Sequence, residues 1–167
     1  CKGAMDDPAI GGIIITHGTD TAEETGLLLD LTLPTTKPVV LVGAMRPADA
    51  VGADGMRNFA NAVKVACDPA AAGRGVMLVM GDAVLAARDA RKAATSAIDA
   101  FRSFPRGPLA RVTPASLDWF GPPHRACEGA RYAFPQELPR VAILTAGAGM
   151  DEQPVKASTT TSPRMYP

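Results

Sequence analysis

Cysteine and histidine are scarce in this chain. Cys1, Cys67 and Cys127 are odd in number and lack C-x-x-C spacing, which excludes a zinc ribbon or a disulfide framework and leaves them structural or incidental. His17 and His124 are too far apart to nominate a metal centre, so no metal is expected, and His17 beside a glycine turn reads as part of a hydrogen-bond network. There is no G-x-G-x-x-G fingerprint, no Walker A loop and no H-E-x-x-H, so nucleotide and metalloprotease readings lack their supports. No apolar run reaches membrane-spanning length, and no signal-peptide pattern is visible. The 17 basic and 17 acidic residues cancel, so no broad field draws nucleic acid or an anionic membrane. A small polar metabolite is the expected partner.

What the chain does hold is apolar and patterned. With 47% hydrophobic residues over 167 positions it can bury one sizeable core. It opens at Cys1 without an initiator Met and runs almost directly into a strand, so it is expected to be a piece of a longer protein. Gly11-Gly12-Ile13-Ile14-Ile15 is a short apolar run bounded by glycine, the pattern of a parallel strand buried on both faces. Thr16-His17-Gly18-Thr19-Asp20-Thr21 follows. Thr21-Ala22-Glu23-Glu24 predicts a capping box, in which Thr21 accepts from the first free N–H groups and Glu24 bonds back. The helix should run through Leu27, Leu28 and Leu31 and stop before Pro34. Thr19 and Asp20 then stand at a strand's carboxyl end beside a helix start, where open α/β sheets bind ligands. Spacing alone equally allows Asp20 and Thr21 to be simple caps.

Two more buried strands follow, at Lys37 to Gly43 and Gly75 to Met80. Between them Asp54 is placed to cap a helix whose Phe59, Ala60, Val63 and Cys67 form an apolar stripe. This alternation predicts a doubly wound, mostly parallel α/β sheet with right-handed crossovers. Gly81-Asp82 leaves no room for a crossover helix, so Ala83 to Ala87 should return as an antiparallel hairpin strand. Arg88 to Lys92 reads as an exposed charged segment, and Ala93 to Phe101 as either a helix or a long ordered loop. Leu109 to Val112 and Leu117 to Phe120 form a second hairpin around Thr113 to Ser116. Residues 1–121 thus make one α/β domain and 122–139 a linker. Residues 140–167 open a smaller α/β domain, with a strand over Arg140 to Thr145 and a tail, Ser158 to Pro167, without apolar periodicity. That domain is expected to be truncated, or its tail to leave the native reading frame.

Ile15 to Thr21, with Glu23-Glu24-Thr25, resembles the second active-site signature of the bacterial-type L-asparaginases. The likeness continues through Lys37 to Pro47, Ala53-Asp54-Gly55, Asn58, Asn61 to Val63, Arg74 to Val76, Ala87-Arg88-Asp89, Lys92 and Asp99 to Ser103. It runs collinearly from about Asp7 to Asp151, and Gly43-Ala44-Met45-Arg46-Pro47 is nearest the type II form. The resemblance implies hydrolysis of L-asparagine to L-aspartate and ammonia, with L-glutamine a further substrate, and no metal or organic cofactor. It assigns catalysis to Thr19, Asp20 and Lys92. Thr19 lies against the substrate amide as a hydroxyl activated by Lys92, which must be neutral for part of the cycle. Asp20 binds the α-ammonium group and orients Lys92. Gly18 and Ala44 complete the binding positions, Ala44 through its carbonyl. By itself, a lysine beside Arg88 and Arg91 reads as a solvated charge. Arg46 and Asp54 are expected to hold loops or subunit contacts, and Met45 to pack.

The family's other essential threonine, the primary nucleophile in a Thr-Gly-Gly-Thr-Ile motif, is not found in the chain, nor is its tyrosine lid or its carboxylate-binding serine segment. The resemblance therefore implies a full-length homotetramer of which this chain alone has little or no activity. Two other readings stay open: a non-catalytic fragment that binds a small amino acid, and the amidase subunit of a tRNA-dependent amidotransferase. Type II likeness implies periplasm or secretion, without excluding the cytoplasm.

Overall fold

The computed structural model describes residues 1–123, 132–137, 139, 141, 143–144, 147–149, 151–153 and 156. The chain divides into two compact units, Cys1–Ala133 and Phe134–Pro167. The first opens with a short helix α1 (Lys2–Asp6), whose last carbonyls are held by Lys37 Nζ, 2.5 Å from Asp7 O and 3.3 Å from Ala4 O. Then come β1 (Ile13–Thr16), α2 (Ala22–Thr32), β2 (Val39–Val42), α3 (Gly55–Ala66) and β3 (Val76–Met80). The remaining strands are β4 (Ala83–Ala86), β5 (Ala90–Lys92), β6 (Phe101–Ser103), β7 (Ala110–Val112) and β8 (Leu117–Trp119).

Six strands form one mixed sheet in the order β1-β2-β3-β4-β7-β8. β1, β2 and β3 are parallel, with Ile15 beside Leu41 and Leu41 beside Leu78, so their carboxyl ends align at one edge. β3 and β4, and β7 and β8, are the two antiparallel hairpins that the turn residues predict. β2 and β3 are buried at every position. Their alternate side chains enter two separate cores, as the period-two pleat requires. Val39, Leu41, Val76, Leu78 and Met80 pack with Ala22 and Leu33 of the α2 region. Val40, Val42, Met77 and Val79 pack with Ala62 and Val65 of α3.

Those two cores correct the expected handedness. Helices α2 and α3 cover opposite faces, yet β1, β2 and β3 follow one another in a single direction across the sheet. Two right-handed crossovers would put both helices on one face, so one crossover is left-handed, against the strong general preference. The stripe expected on α3 is also displaced. Its buried residues are Asn58, Ala62 and Val65, whereas Phe59 and Val63 are about two-fifths exposed and Cys67 is exposed. The i, i+4, i+7 set with the smaller side chains lets the helix approach the sheet, and the larger apolar set faces away.

Of the segment Ala93 to Phe101, Ala93 to Ala100 is an ordered loop, not a helix, and Phe101 begins β6. The loop closes an arm in which β5 and β6 pair antiparallel, Ala90 opposite Ser103 and Lys92 opposite Phe101. Two partly exposed ion pairs anchor the arm's base. Asp30 of α2 accepts from the Arg88 guanidinium and, at 2.9 Å, from the Val76 N–H, while Arg106 grips Asp89 through two bonds of 2.8 and 2.7 Å. The charged segment is thus partly buried, with Asp89 only 5% exposed.

In the second unit, Lys156 N donates to Glu152 O at 3.1 Å and its ammonium pairs with the Glu152 carboxylate. Val141, Ile143 and Leu144 are exposed and belong to no strand. The other positions of the strand expected over Arg140 to Thr145 lie outside the described residues, as do Cys127, His124 and the tail from Ser158 to Pro167.

Candidate active site

The carboxyl ends of β1 and β2 feed two short polar loops. The first, His17 to Thr21, leads into α2. Its expected capping box is not formed: Thr21 stands at the N-cap position without a side-chain cap bond, at φ −120° and ψ 20°. An N-cap hydroxyl reaches the N2 or N3 amide from the β region of backbone space, which Thr21 does not occupy. Glu23 is engaged instead of Glu24, and its carboxylate accepts from the backbone N–H of Lys92 on β5. His17 behaves as the sequence predicts. Its Nδ1 is 2.7 Å from Gly18 O and its Nε2 is 3.0 Å from Thr25 Oγ1, so Nδ1 donates and the Thr25 hydroxyl donates to Nε2.

The second loop is held from within. Asp54 stands at the start of α3 but does not cap it; its carboxylate accepts from Met45 N at 3.0 and 3.1 Å and from Arg46 N at 3.0 Å. At φ −102° and ψ −8° Asp54 is in helical space, so its side chain is directed to the preceding loop rather than over the helix end. Burial pushes the Asp54 carboxyl up, but the Met45 and Arg46 N–H groups and Asn58 outweigh it and hold it below the ordinary value of 3.8. Arg46 closes its own loop onto the carbonyls of Val51 and Gly52 at 3.1 and 3.4 Å. Met45 packs on the core.

Lys92 joins the first loop to the arm. Its ammonium donates to Thr19 Oγ1 at 2.9 Å and to Asp20 Oδ1 at 2.5 Å. The Lys92 side chain is 15% exposed and that of Asp20 is 92% exposed, so a shielded cation meets an open carboxylate. The Lys92 hydrogen bond, then its charge, hold the Asp20 carboxyl below its ordinary value. One lysine amine thus lies within hydrogen-bond reach of both a hydroxyl and a carboxylate, an arrangement in which the amine, when neutral, can accept the hydroxyl's proton. Thr19, Asp20 and Lys92 are therefore brought together. Gly18 and Ala44 line an adjoining cavity of about 380 Å³ whose walls do not include those three.

Gly43 links the two features, and the sequence marked it only as the end of an apolar run. A Cβ there would lie 2.8 Å from His17 O and 3.0 Å from Thr19 Cγ2, so only glycine lets the β2 end pass behind Thr19. Asn58, fully buried, ties this edge together by donating to Gly43 O and the Asp54 carboxylate at 2.9 Å each and accepting from Gly81 N at 3.0 Å. A buried polar residue on the inner face of a helix was the available signal for it.

A protein-family profile described as "Asparaginase, N-terminal" matches residues 1–125. The chain is similar to "L-asparaginase 2" of Escherichia coli (strain K12), 44% identical over 149 residues, which takes in 87% of this chain and 43% of that protein. It is similar to a "Glutaminase-asparaginase" of Pseudomonas aeruginosa, 49% identical over 118 residues, or 71% of this chain and 32% of the relative. The crystal structure of a probable cytoplasmic L-asparaginase from Campylobacter jejuni superposes with a TM-score of 0.81 at 36% identity, covering 90% of this chain and 49% of that one. The chain thus spans less than half the length of each. The profile match takes in every strand of the sheet and the whole Thr19–Asp20–Lys92 group, and the chain belongs to the asparaginase family.

Proposed function

We propose that the whole protein carrying this segment hydrolyses L-asparagine to L-aspartate and ammonia by threonine-based nucleophilic catalysis. The observation that carries the reading is the placement of Lys92 Nζ 2.9 Å from Thr19 Oγ1 and 2.5 Å from Asp20 Oδ1, from a separate arm of the fold. Lys92 in its neutral form takes a proton through Thr19, a threonine hydroxyl attacks the side-chain amide carbon, and ammonia leaves with a returned proton. Water then releases aspartate from the ester. Asp20, ionised and open to solvent, suits an α-ammonium group. The names of the relatives support asparagine as substrate, and that of the Pseudomonas relative supports glutamine as a second. Gly18 and Ala44 supply the wall beside the scissile amide.

A homotetramer is the assembly this reading carries from the family resemblance. The type II form of Gly43 to Pro47 favours periplasm or secretion, against the cytoplasm named for the Campylobacter structure. Among the described residues no helix is long and apolar enough to cross a membrane. The 167-residue chain alone is expected to have little or no activity, because the threonine that the family resemblance names as primary nucleophile is not among its residues. Ammonia measured with L-asparagine and L-glutamine tests the reading. Stoichiometric aspartate and ammonia are expected from the whole protein and only a trace from the 167-residue chain; no ammonia from the folded whole protein with either amide would overturn it.

A further inference from the structure

We propose that Glu23 is the positioning residue for Lys92, setting where the β5 backbone lies so that the lysine's Nζ meets Thr19. This rests on the reading that Lys92 and Thr19 act together in catalysis. In the antiparallel arm Ala93 N donates across to Ala100 O at 2.7 Å, so the neighbouring N–H, that of Lys92, is directed away from β6. A backbone donor there needs an acceptor. The Glu23 carboxylate supplies it through Oε1, from the first turn of α2.

Glu23 belongs to a continuous line of attachment. Glu23, Gly26 and Asp30 are spaced i, i+3, i+7 and share one face of α2. All three meet the arm or its root: Glu23 the Lys92 amide, Gly26 the side of Ala87, and Asp30 the Arg88 guanidinium. A Cβ on Gly26 would come 2.9 Å from the Ala87 Cβ, so the glycine permits the close approach that puts Glu23 in reach. Gly26 and Asp30 fix the arm's base, whereas Glu23 fixes its catalytic end. The contact between Glu23 Oε2 and Arg91 Nε, at 3.9 Å and with Arg91 58% exposed, is a weak surface ion pair and adds little. The acceptor, rather than the charge, is what Lys92 requires.

Glu23→Ala, Glu23→Leu and Glu23→Gln in the whole protein separate these roles. Glu23→Ala and Glu23→Leu remove the acceptor, and a displaced Nζ lowers kcat by about 10- to 100-fold, with KM within about twofold and the thermal midpoint nearly unchanged. Glu23→Gln keeps an oxygen acceptor and holds kcat within about threefold of the wild type. The inference falls if Glu23→Ala keeps full kcat, if Glu23→Gln loses as much as Glu23→Ala, or if kcat and the midpoint fall together while KM rises. Lys92→Met is the control. Full turnover by Lys92→Met sinks the underlying reading, whereas an inactive Lys92→Met beside a fully active Glu23→Ala sinks only the role of Glu23.

Discussion

Lys92→Met in the whole protein lowers kcat with L-asparagine by about 10²- to 10⁴-fold, the usual contribution of a positioned proton-transfer group. Methionine keeps an unbranched apolar stem for the shielded part of the site, so β5, β6 and the ion pairs at Asp30 and Asp89 survive. What disappears is the donor to Thr19 Oγ1 and Asp20 Oδ1. KM changes less than kcat, because Asp20 remains to receive the substrate's ammonium group. The same substitution has a signature that needs no turnover. The Lys92 hydrogen bond and charge hold the Asp20 carboxyl below 3.8, so in the variant it returns to the ordinary range, as a carboxyl-carbon NMR titration reads directly. An Asp20 titration that stays unmoved would mean the lysine is not at the site.

Asn58→Leu destabilises the protein by about 2 to 5 kcal/mol, the largest structural effect expected near the site. Leucine keeps the branched outline but is bulkier, leaves Gly43 O and Gly81 N without the bonds Asn58 supplies, and takes one from Asp54. Both backbone groups lie at strand ends, and the amide that serves them is fully buried, which is why a single side chain can matter this much. The Gly43–Met45 loop loosens with it, and Gly43 backs Thr19. Urea midpoints measure the loss; a shift worth under about 0.5 kcal/mol would show that water replaces the amide. Asp54 gives the network a pH signature. Its folded carboxyl is depressed, so its contribution is present above the ordinary aspartate value of 3.8 and is lost as pH falls through the lower folded value. Asp54→Asn removes that acid-side dependence.

The parallel half of the fold was legible because β2 and β3 are short apolar runs closed by glycine, and both hairpins because their turns leave no room for a helix. The position of Thr19 and Asp20 was legible for the same reason: a strand end followed by a helix start is a local pattern. Lys92 was not. It lies 73 residues from Thr19 on a three-residue strand whose sequence looks like a solvated charge cluster, and only the family resemblance singled it out. The capping expectations failed for two reasons: Thr21 lies outside the β region from which a cap hydroxyl reaches the helix, and the Met45 and Arg46 amides of the neighbouring loop took Asp54. Local spacing ranks caps and stripes by what the helix alone would prefer. It carries no record of what the other loop offers, and none of the crossover's hand.

Ammonia release from L-asparagine by Thr19→Val and Thr19→Ser forms of the whole protein tests the central claim most directly. Valine keeps the shape of Thr19 and removes the oxygen that Lys92 bonds, whereas serine keeps the oxygen and loses a methyl. Turnover should fall by about 10³-fold or more with valine and stay within about 100-fold of wild type with serine, both proteins being folded. Wild-type turnover by folded Thr19→Val would contradict the account.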